Sequence, residues 1–168
     1  MKKFEIIDSN DNYTTWTNGL SSEKQKELYE QDILIIPENG EKVSQYHDDV
    51  IDFLNYVDEQ DVQLDYGCCS ENEEYVSLND ADIWLGAFAT TLVQNPIFIN
   101  ILSNYLYDCF LRFGRNPNVK LSLNVVESKD KQSKTLKFEG DAKTFREIAP
   151  EIVKGFNDAF KKWIWKNC

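Results

Sequence analysis

The longest uncharged stretch of the chain, residues 83–107, limits the folds that this sequence can adopt. It runs for twenty-five residues without an acidic or basic side chain, in a protein otherwise rich in acid. About 20 apolar residues can span a bilayer core, but polar side chains inside such a span are costly. The polar side chains here are those of Thr90, Thr91, Gln94, Asn95, Asn100, Ser103 and Asn104. We therefore interpret the stretch as the buried core of a water-soluble domain, with a membrane segment as the alternative.

The dipeptide Asn95-Pro96 divides this stretch in two. Proline disfavours helical geometry at the residue before it and is well placed at the start of a new helix. The sequence therefore predicts two central buried helices, about residues 82–94 and 96–113. A narrow polar stripe on the second helix recurs every four residues at Asn100, Asn104, Asp108 and Arg112. Apolar residues fill most of the remaining circumference, which is typical of a largely buried helix.

Charge is unevenly distributed along the 168 residues, whose formal net charge is −11. Residues 1–80 contain twenty acidic and five basic side chains, whereas residues 81–168 contain nine and thirteen. The halves therefore carry −15 and +4, and either dock on each other or present an acidic face to a basic partner. Length and composition predict a single domain, 1–168. The alternative is a division into an acidic α/β half (1–80) and a helix-hairpin-helix half (81–168).

The amino-terminal half predicts an alternation of strands and helices. Strand patterns occur at residues 4–7, Ile33–Ile36, 62–66 and 75–78, and helical spacing occurs at residues 22–31 and 44–59. The run Ile33–Ile36, rich in β-branched residues, is typical of a strand buried on both faces near the centre of a sheet. This order of elements favours an α/β unit with parallel strand pairing.

Beyond the uncharged stretch, residues 119–125 and 136–139 alternate apolar and polar side chains on either side of a lysine-rich loop. This pattern predicts a β-hairpin with one apolar face. Apolar residues with helical spacing then predict an amphipathic helix from Asp141 onward, with a break or kink at Pro150. The predicted fold class is therefore α/β (mixed α+β). It combines an amino-terminal β-α-β-α-β-β unit, two central buried helices, a β-hairpin and a carboxyl-terminal amphipathic helix.

Few residues of this chain are of the types from which catalytic and metal sites are built. His47 is the single histidine, and the four cysteines lack the spacing of a zinc site or a disulfide framework. Glycine-rich nucleotide turns and hydrolase motifs are absent from the sequence. We therefore predict no catalytic residues, no metal site, no cofactor and no enzymatic activity. Direct nucleic-acid binding is disfavoured, because so acidic a protein repels phosphate.

Two groups of residues are the candidate partner-binding sites. Asp48, Asp49 and Asp52 lie within five positions on one predicted helix, where their mutual repulsion has no evident local compensation. Trp163 and Trp165 lie among lysines near the carboxyl terminus, a pattern that suits a protein contact or a membrane interface. We therefore expect the partner to be another protein, basic in charge. Membrane binding is the less favoured alternative.

The uncharged helical pair, the lysine-flanked hairpin and the aromatic helix, over residues 81–165, resemble small accessory or adaptor domains of bacterial multi-component systems, including defence systems. This resemblance contains no diagnostic residue and assigns no site. We predict a non-enzymatic protein-interaction domain with an adaptor or regulatory role, which binds another protein through its acidic amino-terminal face or its aromatic carboxyl terminus. One alternative is an immunity or inhibitor protein that blocks a basic toxin or nuclease. Others are a membrane-associated effector that uses residues 83–107 and an enzyme of a type that lacks recognisable motifs. Since the amino terminus shows no signal-peptide pattern, we expect a cytoplasmic location.

Overall fold

The computed structural model describes residues 4–39, 44–61, 63–71, 73–76 and 82–166. Within them the chain forms nine strands and five helices. The strands are β1 (Glu5–Ser9), β2 (Ile33–Ile36), β3 (Glu38–Asn39), β4 (Ser44–His47), β5 (Tyr66–Cys68), β6 (Glu73–Val76), β7 (Ile83–Thr91), β8 (Asn118–Val126) and β9 (Ser133–Asp141). The helices are α1 (Tyr13–Trp16), α2 (Ser22–Tyr29), α3 (Asp48–Asp58), α4 (Asn95–Phe113) and α5 (Ala142–Lys166). The predicted α/β class is confirmed.

Six strands form one mixed sheet in the order β1-β9-β8-β7-β2-β5. β7 and β8 are parallel and are connected by α4, whereas β8 and β9 form the antiparallel hairpin that the sequence predicts. β2 lies inside the sheet, antiparallel to β7 and parallel to β5. The predicted parallel pairing of amino-terminal strands is therefore confirmed for β2 and β5. β3, β4 and β6 form a separate three-stranded sheet.

The first of the two predicted central helices is wrong, because Ile83–Thr91 forms β7, a central strand. Its backbone pairs with β2 on one side and with β8 on the other. Phe88 and Ala89, successive residues on opposite faces of the strand, are both fully buried. A strand buried on both faces shows a continuous apolar run, so its pattern is that of a buried helix. Gly86 has a φ of +70°, which a right-handed helix does not contain.

The second predicted central helix is confirmed as α4. Pro96 lies in its first turn, and Gly114 ends the helix with a left-handed φ of +62°. Phe98, Leu102 and Leu106 on α4 are fully buried in the main core, where α3, α4 and α5 cover one face of the six-stranded sheet. Within the described residues, no helix is long and apolar enough to cross a membrane.

Other boundaries differ from the sequence predictions by a few residues. The helix predicted over residues 44–59 begins only at Asp48, because Ser44–His47 pairs as β4 with β6. The strands predicted at 62–66 and 75–78 are shifted to β5 and β6, and residues 62, 77 and 78 lie outside the described residues. α5 continues through the exposed Pro150. The helix persists there because its apolar face packs on the same core before and after the proline.

The second face of the six-stranded sheet is covered at one end by α1 and α2. A small second core forms there from Tyr13, Leu28, Leu34, Cys69, Ala89 and Val126. Gly67 allows α2 to approach β5 closely, since a Cβ at this position would lie 2.6 Å from a methyl carbon of Leu28. At the other end, beside the first residues of β7 and β8, a groove of about 380 Å³ opens on this face.

Candidate functional site

The three acidic residues predicted to bind a partner, Asp48, Asp49 and Asp52, lie in the first half of α3 and differ in their exposure and hydrogen-bond partners. Asp48 and Asp49 occupy the first turn, where the positive end of the helix dipole stabilises carboxylates. Asp48 is exposed. Asp49 is half-buried, and its Oδ2 accepts a 2.8 Å hydrogen bond from the backbone N–H of Trp84. Burial raises the pKa of Asp49, although the Trp84 N–H and His47 act in the opposite direction.

Asp52 belongs to a polar cluster between α3 and α4. Its Oδ2 accepts hydrogen bonds of 2.7 Å from the Tyr105 hydroxyl and 3.4 Å from Arg112. Arg112 also donates to the Cys109 sulfur at 3.3 Å. Asp49 and Asp52 therefore both have partners within the chain, but these partners are distant in sequence, so the compensation is not local to α3.

Trp163 and Trp165 lie in the last turns of α5, which extends to Lys166. Their side chains are outside the part of the chain that the structure describes. α5 packs against β1, β8, β9 and α4, whereas α3 packs against β7 and α4. The two predicted groups therefore belong to different helices of the same layer, and a partner-binding role for the tryptophans stays a prediction.

A different set of carboxylates gathers where β2 and β5 begin. α2 and α3 end shortly before these two strands, and because the strands are parallel, their first residues lie at the same edge of the sheet. We call this surface the acidic edge. Its members are Glu30, Asp32, Asp58, Glu59, Asp61 and Asp65.

Hydrogen bonds hold the backbone of the acidic edge in place. The Asp65 N–H donates to Asp32 Oδ2 at 2.9 Å, and the Asp32 N–H donates to the Asp65 carbonyl oxygen at the same distance. The Tyr66 hydroxyl donates to the Asp58 carboxylate at 2.9 Å. Burial and this hydrogen bond raise the pKa of Tyr66 to about 12, so the tyrosine stays neutral and donates at physiological pH. The carboxylates of Asp32 and Asp58 are thus anchored by neutral donors.

The acidic edge is electrostatically unfavourable within the chain. Asp58 and Glu59 lie at the end of α3, whose last turn contains no basic residue, and a carboxylate at this negative end of a helix dipole costs about 0.3–1 kcal/mol. Five of the six side chains are exposed, and Asp32 is half-buried. Among the described residues, none of the six forms an ion pair with a lysine or arginine. The edge therefore presents negative charge that is not neutralised by an ion pair within the part of the chain that the structure describes.

Sequence reasoning missed the acidic edge, although it identified the acidic half of the chain. Asp58 and Glu59 at the end of a predicted helix, with no lysine or arginine nearby, are a local signal that was available. Placing Asp32 beside Asp65 requires knowledge that β2 pairs with β5. The order of elements predicts parallel pairing, but no local pattern gives the register that sets Asp32 beside Asp65.

The buried cysteines lie away from the acidic edge and serve packing. Within the described residues, no group of three or more histidine, cysteine, aspartate or glutamate side chains could hold a metal ion. Cys68, Cys69 and Cys109 are buried, and none of them forms a disulfide among the described residues. Burial raises the pKa of Cys69 to about 12 and also raises that of Cys109, so both are neutral thiols with little nucleophilic character.

Comparisons of this chain with protein-family models, with curated proteins and with solved structures found no match. Its function is therefore inferred from the charge and the geometry of its own residues.

Proposed function

We propose that this chain is a non-enzymatic protein-interaction domain, with an adaptor or regulatory role, that binds a basic protein through the acidic edge. The observation that carries the proposal is the collection of six carboxylates without an ion pair among the described residues. Lysines and arginines of a partner supply the missing charge, and the negative end of α3 adds to the attraction. Such a surface accelerates encounter with a basic partner through long-range attraction.

Residues of α3 contribute to this proposal unequally. Asp48 is exposed and is free to contribute to a partner surface. Asp49 and Asp52 are less suited, because Asp49 is half-buried and Asp52 already forms an ion pair with Arg112. Trp163 and Trp165 stay in the proposal as apolar contacts beside lysines.

One specific form of the proposal is an immunity or inhibitor protein that blocks a basic toxin or nuclease. The same acidic edge supports it, since active sites that bind nucleic acid are lined with positive charge. The broader form is an accessory component of a bacterial multi-component or defence system. We propose a cytoplasmic location, because Cys69 and Cys109 are buried thiols that form no disulfide among the described residues, as is usual in a reducing compartment.

The test removes three charges from the acidic edge in the variant Glu59→Gln/Asp61→Asn/Asp65→Asn. Parent and variant are each crosslinked in extract of the producing cells, and the attached proteins are identified and quantified by mass spectrometry. We expect a basic protein on the parent and its loss from the variant. With that protein purified, the association rate is expected to fall by about tenfold at low salt, and its salt dependence to flatten.

A matched control removes the same number of charges from α5. Glu147, Glu151 and Asp158 are exposed on this helix, so the triple amide variant Glu147→Gln/Glu151→Gln/Asp158→Asn changes net charge equally. We expect it to retain the partner and most of the association rate. Equal losses of association rate in the two variants would show that net charge alone, not the acidic edge, governs association. Unchanged association kinetics of the acidic-edge variant at low and at high salt would refute the proposal.

A further inference from the structure

The groove on the second face of the six-stranded sheet has one apolar side and one charged side. Ile36 and Pro37 at the end of β2 and Trp84 on β7 contribute the apolar side. Lys120 on β8 and Lys137 on β9 contribute positive charge to the other side. Its volume of about 380 Å³ lies in the range of small-molecule sites. This groove contains none of the residues of the acidic edge.

The indole of Trp84 is held in a fixed position at the groove. Gly86 adopts a φ of +70° where the register between β7 and β8 shifts, which is the geometry of a β-bulge that redirects neighbouring side chains. The Lys120 ammonium lies 4.3 Å from the centroid of the Trp84 ring, and the His47 ring lies 5.2 Å away. A ring held in this way offers a preformed apolar surface, so a ligand needs to order little of the protein on binding.

The two lysines of the groove are available to an anion. Lys120 lies 3.6 Å from Glu139, but the Glu139 side chain is 74% exposed, and such solvent-screened ion pairs contribute little to stability. A ligand carboxylate can therefore replace that of Glu139. Lys137 forms no ion pair among the described residues. The strand register places it diagonally across from Lys120, at roughly 7–8 Å between neighbouring strands, so one anionic group can approach both ammonium groups.

We propose that this groove binds a small anionic amphiphile, a carboxylate with an aliphatic or aromatic body. The carboxylate lies between Lys120 and Lys137, and the apolar body lies along Trp84, Ile36 and Pro37. Charge complementarity selects this class, because the groove lining carries two ammonium groups against the single carboxylate of Glu139, and a neutral ligand leaves Lys137 uncompensated. The site goes beyond the proposed protein-interaction role, since a small molecule occupies it on the other face of the sheet from α3.

Octanoate, 1-octanol and octylamine share one chain length and differ in charge, so they serve as probes. Binding is followed by NMR through the indole N–H resonance of Trp84, which is assigned by its loss in Trp84→Phe. We expect octanoate to bind with a Kd about tenfold or more below that of 1-octanol, and octylamine to bind most weakly. Equal affinities for octanoate and octanol, or no shift of the Trp84 resonance, would overturn the proposal.

Lys137→Gln is the decisive variant, because this exposed side chain makes no ion pair whose loss would disturb the fold. We expect it to weaken octanoate binding by about fivefold or more and to leave octanol binding unchanged. Lys154→Gln removes an exposed charge from α5, on the other face of the sheet, and is expected to have no effect. An equal effect of the two variants would contradict the site. A further outcome would contradict the proposed ligand class: binding of an acetylated tetrapeptide with a free carboxyl terminus, without binding of octanoate. That result would assign the groove to the carboxyl terminus of a protein.

Discussion

Replacing Gly86 by alanine should change the stability of the protein in opposite directions for the two conformations considered for residues 83–91, a helix and a strand. In a helix interior, glycine is about 1 kcal/mol less favourable than alanine, so the substitution would stabilise the protein. In the observed strand, Gly86 has a φ of +70°, a region that alanine enters only at a cost. The sign of the stability change therefore distinguishes the strand from the helix.

The expected magnitude follows from the surroundings of Gly86. A Cβ built there has no atom within 4 Å, so no clash adds to the effect. A left-handed backbone costs an L-residue roughly 1–2 kcal/mol, while the reduced freedom of the unfolded chain offsets about 0.4–1 kcal/mol. We expect a net loss of about 1 kcal/mol, or roughly 2–4 °C in Tm for a protein of this size.

Urea denaturation followed by circular dichroism measures this change as a shift in the midpoint at constant slope. Gly114→Ala is the matched reference. Gly114 has a φ of +62°, and a Cβ built there likewise has nothing within 4 Å, but this glycine ends α4 and lies outside residues 83–91. Both variants are expected to lose comparable stability. A Gly86→Ala variant at least as stable as the parent, with Gly114→Ala destabilised, would refute the strand.

Two further predictions concern burial and pH. Leu102→Ala is expected to lower the free energy of unfolding by about 3–5 kcal/mol, because it leaves a cavity in the core. The control Ile97→Ala changes a side chain on the same helix that is 39% exposed, and it should lower the free energy of unfolding by at most about 1 kcal/mol. Similar urea midpoints for the two variants would contradict the burial of α4. Burial raises the pKa of Asp49 in the folded state above the ordinary value of an aspartate. The folded protein therefore binds more protons at Asp49 than the unfolded chain does, and stability falls as pH rises from the ordinary pKa to the folded-state pKa. Asp49→Asn retains an oxygen acceptor for the Trp84 N–H and removes the cost of burying a charged carboxylate. Thermal unfolding should therefore show a variant no less stable than the parent at pH 7, with a weaker fall in stability from pH 3.8 upward. Marked destabilisation of the variant at pH 7 would contradict this prediction.

The parts of the fold that were predictable are those specified by neighbouring residues. Ser21 caps α2 by accepting a 3.2 Å hydrogen bond from the Lys24 N–H, and serine is among the residues preferred directly before a helix. The β8–β9 hairpin follows from its strict alternation, and its register pairs Leu121 with Phe138 and Leu123 with Leu136. Such local patterns carry enough information to define an element and its buried face.

The parts that were not predictable depend on contacts distant in sequence. Asn124 occupies a polar position of the alternating hairpin but is buried. Its side-chain amide donates to the Phe88 carbonyl oxygen at 3.0 Å, and its carbonyl accepts from Thr135 at 2.6 Å. The partners of Asp49 and Asp52 are likewise distant, at Trp84 and on α4. No period or composition within residues 44–59 indicates these partners.

The position of β1 at the edge of the six-stranded sheet has a consequence for synthesis on the ribosome. Among the described strands, β9 is the one that pairs with β1, and Ser9 lies opposite Ser133, 124 residues later in the chain. At about 5–20 residues per second, the first strand waits roughly 6–25 s after its own translation for its partner. β2 similarly waits for β7, its neighbour on the inner side. The nascent amino-terminal half thus emerges before the strands that complete its sheet, and its dense negative charge disfavours association between nascent chains during that interval.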